Sequence, residues 1–260
     1  MTSTNPQLPT PVFASPDSAI QAELADNAVH LWLLDSRQLN ASHQANTLRI
    51  MSSDEHERAQ KFIRGKEGYI ASRWLLRKVL ARYTGASPAD VRFLHTEKGK
   101  PYLPDSKIHF SLSHSGDWVL LAVGKVELLG VDVEAIKTTR DLNGIAESYY
   151  HPLEFAKLKT LAGAEHTHYF YRLWTLKEAF LKAIGAGISA GLENVRFTMG
   201  DTALGDTINA QIAESLGVST SEWHFHQWSL SAQDYCALAG NSPQPLQVKW
   251  FDALANPAFS

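Results

Sequence analysis

One short stretch, Gly130-Val131-Asp132-Val133-Glu134, constrains the fold most, because it combines a strand-like pattern with two acids at alternate positions. Successive side chains of a strand point to opposite faces, so Val131 and Val133 can enter a core while Asp132 and Glu134 share the other face. We expect these carboxylates to lie roughly 6–7 Å apart. At an effective dielectric near 20 they would then repel by about 2–3 kcal/mol. The pattern favours a cation close to both acids, and the alternative is a solvated pair on a surface strand.

A second stretch, Trp174–Lys182, has the spacing of an amphipathic helix. Glu178 and Lys182 stand four residues apart and share one face, which alone could be an ordinary helix salt bridge. A separate apolar stripe faces elsewhere and consists of Leu173, Leu176, Phe180 and Ile184. Taken with Asp132 and Glu134, this charged face suits a magnesium ion bound by carboxylates, water and substrate phosphate, since Mg²⁺ prefers oxygen ligands.

The composition is that of a globular protein that needs no crosslinks. The 260 residues are 44% apolar and 20% charged, enough for one large domain or two small ones. Cys236 is the single cysteine, which excludes an intramolecular disulfide and fits a reducing compartment. No apolar run approaches the ~20 residues that span a bilayer, and the N-terminus lacks the pattern of a signal peptide. We therefore expect a cytoplasmic protein with no membrane partner.

The charge distribution is uneven along the chain. A formal net charge of −3 does not favour nucleic acid as a partner, so attraction for an acidic partner must come from a local patch. Between Arg58 and Arg82 eight basic residues face one acid, Glu67; they are Arg58, Lys61, Arg64, Lys66, Arg73, Arg77, Lys78 and Arg82. This run is a candidate site for phosphate groups or for an acidic protein.

The order of strand and helix signals predicts an N-terminal arm followed by two halves. Residues 1–28 form the arm, 29–136 an N-terminal subdomain and 137–260 a C-terminal subdomain. In the first half we expect a strand over 29–34, a helix capped at Ser52 or Ser53, a long helix over 69–83 ended by Gly85, and strands over 119–123 and 128–133 that pair with each other. In the second half we expect helical sequence over 141–163, a helix over 168–184, and short strands over 195–199, 207–213, 223–231, 235–239 and 248–251.

Three side chains in the first half are candidate phosphate ligands. His114 follows Ser113 in a polar stretch that we interpret as a loop, and nearby hydroxyls and backbone donors could help it to hold phosphate. Lys100, between Gly99 and Pro101, would supply a second positive group. Arg73 lies on the long helix. Each also has a bland interpretation, as a structural histidine, a solvated turn lysine and a helix arginine that reaches out to solvent.

Together these segments resemble the 4′-phosphopantetheinyl transferases, specifically the long, single-chain type that activates peptide and polyketide synthases. The residues that carry the resemblance are Gly99-Lys100-Pro101, Phe110-Ser111-Leu112-Ser113-His114-Ser115-Gly116, Gly130–Glu134 and Trp174-x-x-Lys177-Glu178-Ala179-x-x-Lys182, with Ala71–Arg77 as an arginine-bearing helix. Their order and approximate spacing match from about residue 30 to residue 240. Each motif is modestly specific by itself, and the ordered set is highly specific.

The resemblance implies an α/β protein of the α+β kind. It would be a pseudo-twofold pair of similar subdomains, each a small antiparallel sheet with packed helices, with a coenzyme A cleft between them. A carrier-protein serine would attack the β-phosphate of coenzyme A, and adenosine 3′,5′-bisphosphate would leave. Because both halves lie in one chain, a monomer is expected. The implied partners are coenzyme A and an apo acyl carrier protein or peptidyl carrier domain.

The resemblance also assigns roles to residues. The magnesium ligands would be Asp132, Glu134 and Glu178, and the catalytic residues Glu178, Lys182 and Asp132. The coenzyme A ligands would be Arg73, Lys100, Ser113, His114, Lys177 and Lys182. Two other classes use similar residues: a magnesium-dependent hydrolase or nucleotidyl transferase that acts on another pyrophosphate, and a non-catalytic binder of coenzyme A or of a carrier domain.

Overall fold

A computed structural model describes residues 8–15, 24–187, 190–200, 208–256 and 259. These residues form two compact units. The N-terminal unit contains the described residues of Val12–Glu127 and of Leu246–Ser260, and the C-terminal unit contains residues 8–11 and the described residues of Leu128–Pro245. The expected subdomains instead divided the chain at residue 136. The structure joins the end of the chain to the N-terminal unit because the last strand pairs with the first.

The N-terminal unit contains three α-helices and six strands among its described residues. In chain order they are β1 (Ala28–Asp35), α1 (Ala41–Ile50), α2 (Ser53–Gln60), α3 (Lys66–Thr84), β2 (Leu94–His95), β3 (Pro101–Tyr102), β4 (His109–Ser115), β5 (Trp118–Gly124) and, after the C-terminal unit, β11 (Gln247–Asp252). The expected strand over 29–34 is β1. The capping prediction is confirmed at Ser52, whose side chain accepts from the backbone N–H of Glu55 while the Glu55 carboxylate accepts from that of Ser52.

Four strands of this unit form a sheet in the order β11-β1-β5-β4. Only the β1–β11 pair is parallel within it, and the other neighbours are antiparallel. The expectation that the strands over 119–123 and 128–133 pair with each other is wrong. Both edges of β5 are already occupied, by β1 and by β4, so the strand that follows it must find a partner elsewhere.

Helix α3 covers the sheet of this unit and is its core element. It begins at Lys66, a turn earlier than the apolar spacing predicted, and ends at Gly85, whose left-handed backbone stops it as expected. Trp74, Leu75, Val79 and Leu80 are buried in a cluster with residues of β1, β4, β5 and β11. Burial of this apolar stripe fixes the position of the basic residues on the same helix.

The C-terminal unit also contains three helices, with five strands, among its described residues. They are β6 (Leu129–Ala135), α4 (Leu142–Tyr149), α5 (Pro152–Leu158), α6 (Gly163–Ile184), β7 (Val195–Met199), β8 (Ile208–Ile212), β9 (Trp223–Ser231) and β10 (Asp234–Asn241). The helical sequence expected over 141–163 is two short helices. Thr207, the first residue of an expected strand, lies outside the described residues.

Strands β6, β10 and β9 form an antiparallel sheet in that order, and β7 pairs with β8 as a hairpin. Helix α6 packs against this sheet through Leu173, Leu176 and Phe180, which are buried completely. The α/β class, with small, mainly antiparallel sheets and packed helices, is therefore confirmed in each unit. No helix in the described part of the chain is long and apolar enough to cross a membrane.

Candidate functional site

The strand β6 and the helix α6 approach each other unusually closely, and a glycine makes this possible. A Cβ atom built on Gly130 would lie 2.0 Å from the carbonyl oxygen of Ala179 and 2.4 Å from the backbone nitrogen of Ala183. Asp132 and Glu134 follow Gly130 at alternate positions, so they share its face of the strand, toward α6. The acids of this motif carry its candidate chemistry, and its glycine determines the distance between the strand and the helix. A glycine inside a strand is the sequence signal for such an approach.

An acid–lysine cluster forms where these two elements meet. Lys182 Nζ lies 2.6 Å from Asp132 Oδ1, and the Asp132 side chain is only 4% exposed, whereas that of Lys182 is 31% exposed. The spacing in the sequence also allowed an ordinary salt bridge between Lys182 and Glu178 along the helix. The hydrogen bond formed instead joins the helix to the strand. The ammonium of Lys182 thus balances the charge of the Asp132 carboxylate, which is buried.

Glu178 lies in the electrostatic field of both strand acids. Burial and, to a smaller extent, the charges of Asp132 and Glu134 raise the pKa of Glu178 to about 7, against the opposing charge of Lys182. Three carboxylates on two elements are thus close enough to repel one another. A group that titrates near neutral pH can accept a proton from a hydroxyl group, which is the property required of a general base.

The donor set of this cluster fits a magnesium ion. All candidate ligands are carboxylate oxygens. A divalent cation would offset both causes that raise the pKa of Glu178, its burial and the charges of Asp132 and Glu134. Within the described residues, no group of three or more acids, histidines and cysteines is arranged to hold a metal by itself. Magnesium characteristically binds one or two carboxylates and completes its shell with water and substrate phosphate, so a closed protein cage is not needed.

Lys177 does not belong to this cluster, contrary to its expected role as a coenzyme A ligand. Its side chain is completely buried, and its Nζ lies 2.7 Å from Glu154 Oε2. The ammonium also donates to the carbonyl oxygens of Leu192, at 2.9 Å, and Val195. Lys177 and Glu178 are neighbours on a helix, where successive side chains diverge by about 100°. One therefore points into the core while the other faces β6.

Glu154, the partner of Lys177, was missed by the sequence interpretation. Its Oε1 accepts from the backbone N–H of Phe197 at 2.7 Å, and its Oε2 accepts from that of His151 at 3.0 Å. It therefore caps α5 and binds β7 at the same time as it pairs with Lys177. Nothing in the local sequence distinguishes it from the exposed glutamates of a helix first turn.

In the N-terminal unit, Arg73 and Arg77 of α3 share one carboxylate. Glu55 Oε2 lies 2.7 Å from Arg77 Nε, and Glu55 Oε1 lies 3.5 Å from Arg73 Nη1. Arg77 is 2% exposed and also donates to the carbonyl oxygens of Pro88, Ala89 and Val91, so it is structural. The Arg73 side chain is 16% exposed and lies over the ring of Tyr69. Arg73 is thus held in place but is not fully enclosed.

Lys100 lies in the tight connection between β2 and β3. The backbone N–H of Lys100 donates to Thr96 Oγ1 at 3.0 Å, and its carbonyl accepts from Thr96 N–H. Gly99 adopts φ +85° there, a left-handed conformation that favours glycine. Burial lowers the pKa of Lys100 to about 8, opposed by the charge of Glu127. A partly desolvated ammonium of this kind gains from an added anion.

His114 and Ser113 lie in a strand, and the expectation of a loop around them is wrong. Both belong to β4, where His114 pairs with Val119 and Ser113 with Leu120. His114 is exposed and Ser113 is buried, as alternation along a strand requires. Their side chains point to opposite faces, so they do not form one set of adjacent side-chain ligands. The turn itself is limited to Gly116 and Asp117.

Two sets of predicted residues therefore exist, one in each unit. The C-terminal unit brings together Asp132, Glu134, Glu178 and Lys182, and it directs Lys177 away from them. The N-terminal unit contains Arg73, Lys100, Ser113 and His114. The first set contains the groups that charge neutralisation and proton transfer require, and the second contains cations and an imidazole, which are groups that can bind an anion.

Comparison with known proteins gives the family. The family model described as "4′-phosphopantetheinyl transferase superfamily" matches residues 128–239, and that described as "4′-phosphopantetheinyl transferase, N-terminal" matches residues 37–126. A solved structure of a holo-(acyl-carrier-protein) synthase from Bacillus anthracis in complex with CoA covers 45% of this chain and 98% of that chain, at 19% identity and a TM-score of 0.35.

Sequence relatives agree with the family models. The 4′-phosphopantetheinyl transferase HetI of Nostoc sp. is 36% identical over 185 residues, which are 69% of this chain and 77% of that protein. A 4′-phosphopantetheinyl transferase of Bacillus subtilis is 32% identical over 169 residues, which are 64% of this chain and 74% of that protein. On these matches the chain belongs to the 4′-phosphopantetheinyl transferase superfamily.

Proposed function

We propose that this transferase moves the 4′-phosphopantetheine arm of coenzyme A to a serine of an apo acyl or peptidyl carrier protein, in a reaction that depends on Mg²⁺. The observation that carries the proposal is the acid–lysine cluster, in which Lys182 of α6 binds Asp132 of β6, and burial together with the charges of Asp132 and Glu134 raises the pKa of Glu178. Phosphoryl transfer requires positioning and charge neutralisation more than covalent chemistry, and this cluster has the groups for both.

Each residue of the cluster would have its own role in the reaction. Asp132, Glu134 and Glu178 would hold magnesium, which when bound neutralises the pyrophosphate charge. Lys182, exposed enough to meet a ligand, neutralises phosphate oxygens while keeping its bond to Asp132. Glu178 accepts the proton of the carrier serine, directly or through water.

The bonds of the reaction follow from these tasks. The serine oxygen bonds to the β-phosphorus of coenzyme A, and its proton passes to Glu178. The bond from that phosphorus to the oxygen bridging the two phosphates breaks, and the electron pair stays on adenosine 3′,5′-bisphosphate. This leaving group carries away the charge that Lys182 had helped to balance.

The second set of residues would recognise the ribose 3′-phosphate of coenzyme A. Lys100 supports this role because a partly desolvated ammonium is stabilised by a phosphate. Arg73 adds a fixed guanidinium and His114 an exposed imidazole. Ser113, buried on the other face of β4, is the weakest member of the set. We propose that these residues of the N-terminal unit take part in binding coenzyme A.

A direct experiment tests the proposal. Purified protein is incubated with coenzyme A, Mg²⁺ and a panel of apo carrier domains, and intact-mass spectrometry follows addition of phosphopantetheine to the serine. We expect modification that stops when EDTA removes the metal and that is lost in Glu178→Gln. Turnover of coenzyme A without any carrier would indicate a hydrolase, and full modification in EDTA would refute the metal role. Lys157→Met, at an exposed lysine outside the cluster, is the control.

Two further features of the proposal concern the partner and the assembly. The carrier is expected to be acidic, so the exposed Arg64 and Lys66 would steer it by charge. The value of kcat/KM for the carrier should then fall as salt shortens the Debye length, from about 10 Å at 0.1 M to about 3 Å at 1 M. Reversal of both charges should flatten this dependence.

We also propose a monomer, which sedimentation at low micromolar concentration would test.

A further inference from the structure

We propose that Lys177 is a positioning residue, which fixes the rotation of α6 about its own axis and thereby sets Glu178 and Lys182 against β6. The inference rests on the proposed function, because it assigns Lys177 an effect on the reaction through the acid–lysine cluster. Lys177 itself touches neither substrate nor metal in this assignment, since its ammonium is completely buried.

The contacts of Lys177 connect α6 to three other segments. Its ammonium binds Glu154 of α5, the carbonyl oxygen of Leu192 in the turn before β7, and the carbonyl oxygen of Val195 at the start of β7. An ammonium has three N–H donors, and here each has an acceptor. Because Glu154 also binds Phe197 of β7 and caps α5, the acceptor side of this network is itself fixed.

Packing alone does not explain a lysine at this position. The surrounding residues form an apolar cluster, and Tyr150 and Phe197 present their rings to the ammonium at 5.4 and 5.9 Å. Replacement of a buried ion pair by apolar side chains is often neutral or stabilising, so stability is a weak reason to bury one. Directional bonds fix a rotation more sharply than apolar contacts do. The opposite side of α6 is set by the contact of Ala179 and Ala183 with Gly130.

The geometry of a helix gives the size of the effect. Side chains of an α-helix reach about 5–6 Å from its axis, so a rotation of about 10° moves a side-chain end by about 1 Å. A misplacement of 1 Å can cost about 100-fold in rate. Lys177 lies one residue before Glu178, so any rotation that its bonds prevent would displace Glu178 directly.

The test uses a variant that removes the pair without leaving a buried charge. In Lys177→Met/Glu154→Gln the amide oxygen can keep the bond from Phe197, and the amide N–H groups can face the carbonyls that Lys177 leaves, while the capping bond from the N–H of His151 is lost. We expect a folded protein whose kcat for carrier modification falls 10- to 100-fold, with KM for coenzyme A within about threefold of wild type. The single variant Lys177→Met should lose at least as much kcat and more stability. Lys157→Met serves again as control.

The outcomes separate this inference from the proposed function. A wild-type kcat in the folded double variant overturns the positioning role, as does a loss of kcat that merely matches the unfolded fraction in circular dichroism. If Glu178→Gln is inactive and the double variant is fully active, only the inference fails. If Glu178→Gln transfers as wild type does, the catalytic role of Glu178 fails, and if the wild-type protein modifies no carrier domain, the proposed function itself fails.

Discussion

Substitution of Gly130 by alanine tests the central contact of the candidate site. The added Cβ would meet the carbonyl oxygen of Ala179 at 2.0 Å, and the nitrogen and Cα of Ala183 at 2.4 and 2.9 Å. All three are backbone atoms, so no side chain can rotate away. Ordinary contact begins near 3.4 Å, and the difference from 2.0 Å means that β6 and α6 must separate by about 1.4 Å at this point.

This displacement should affect both stability and catalysis. Overpacking of a core costs about 1–3 kcal/mol, and occasionally more where backbone must move. We expect a loss of unfolding free energy at the upper end of this range. Separation of the two elements also moves Asp132 and Glu134 from Glu178 and Lys182, and a shift of more than 1 Å should lower kcat by about 100-fold.

Two measurements on the same preparation check these values. Urea unfolding followed by tryptophan fluorescence gives the stability, and intact-mass kinetics with an apo carrier domain give kcat. The matched control is Gly68→Ala in α3, where a Cβ meets nothing within 4 Å and φ is not positive. There we expect a gain of about 0.4–1 kcal/mol, since alanine reduces the freedom of the unfolded chain. If Gly130→Ala keeps wild-type stability and kcat, the close approach of strand and helix does not exist.

Three other predictions concern single side chains. The pKa of Lys100 is about 8, so the KM for coenzyme A should rise as the pH increases through 8 and the Lys100 ammonium loses its proton. Lys100→Arg, or dephospho-coenzyme A as the substrate, should remove this trend. Asp132→Asn should abolish carrier modification in magnesium buffer with an unchanged circular dichroism spectrum, because the amide keeps the shape and the part-exposed Lys182 can be hydrated; wild-type-like transfer would contradict its role. Glu55→Gln should lower the unfolding free energy measured in urea by about 2 kcal/mol, because it weakens a charged hydrogen bond to the buried Arg77. An unchanged urea midpoint would contradict this contribution of the Glu55–Arg77 pair.

Local rules sufficed for the parts of the chain whose structure depends on near neighbours. The cap of α2 at Ser52 and the end of α3 at Gly85 follow from hydrogen bonds and backbone angles within a few residues. The strand β6 and the helix α6 follow from apolar periodicity. The four ordered motifs likewise indicate the family by themselves, in agreement with the family models and relatives.

Strand pairing and side-chain partners were decided by the tertiary structure. The return of β11 to pair with β1, and the placement of β5 and β6 in different sheets, depend on which strand edges are already occupied. His114 lies in a strand although its polar neighbours suggested a loop, because β5 supplies the hydrogen-bonding partner. Pairing joins chain neighbours, such as β4 and β5, as well as strands far apart in the chain, such as β1 and β11, so position in the chain alone does not identify the partner.

The clearest contrast is between Lys177 and Lys182, two lysines of one motif on one helix. The sequence predicted the same role for both, as ligands of coenzyme A. The helical period turns Lys182 toward Asp132 and Lys177 toward Glu154, and only the packing of α6 between β6 on one side and α5 with β7 on the other determines which face is core. The sequence by itself therefore determined the chemistry that the chain can perform, while the tertiary structure decided which charges are available for it, because burial depends on contacts between segments distant along the chain.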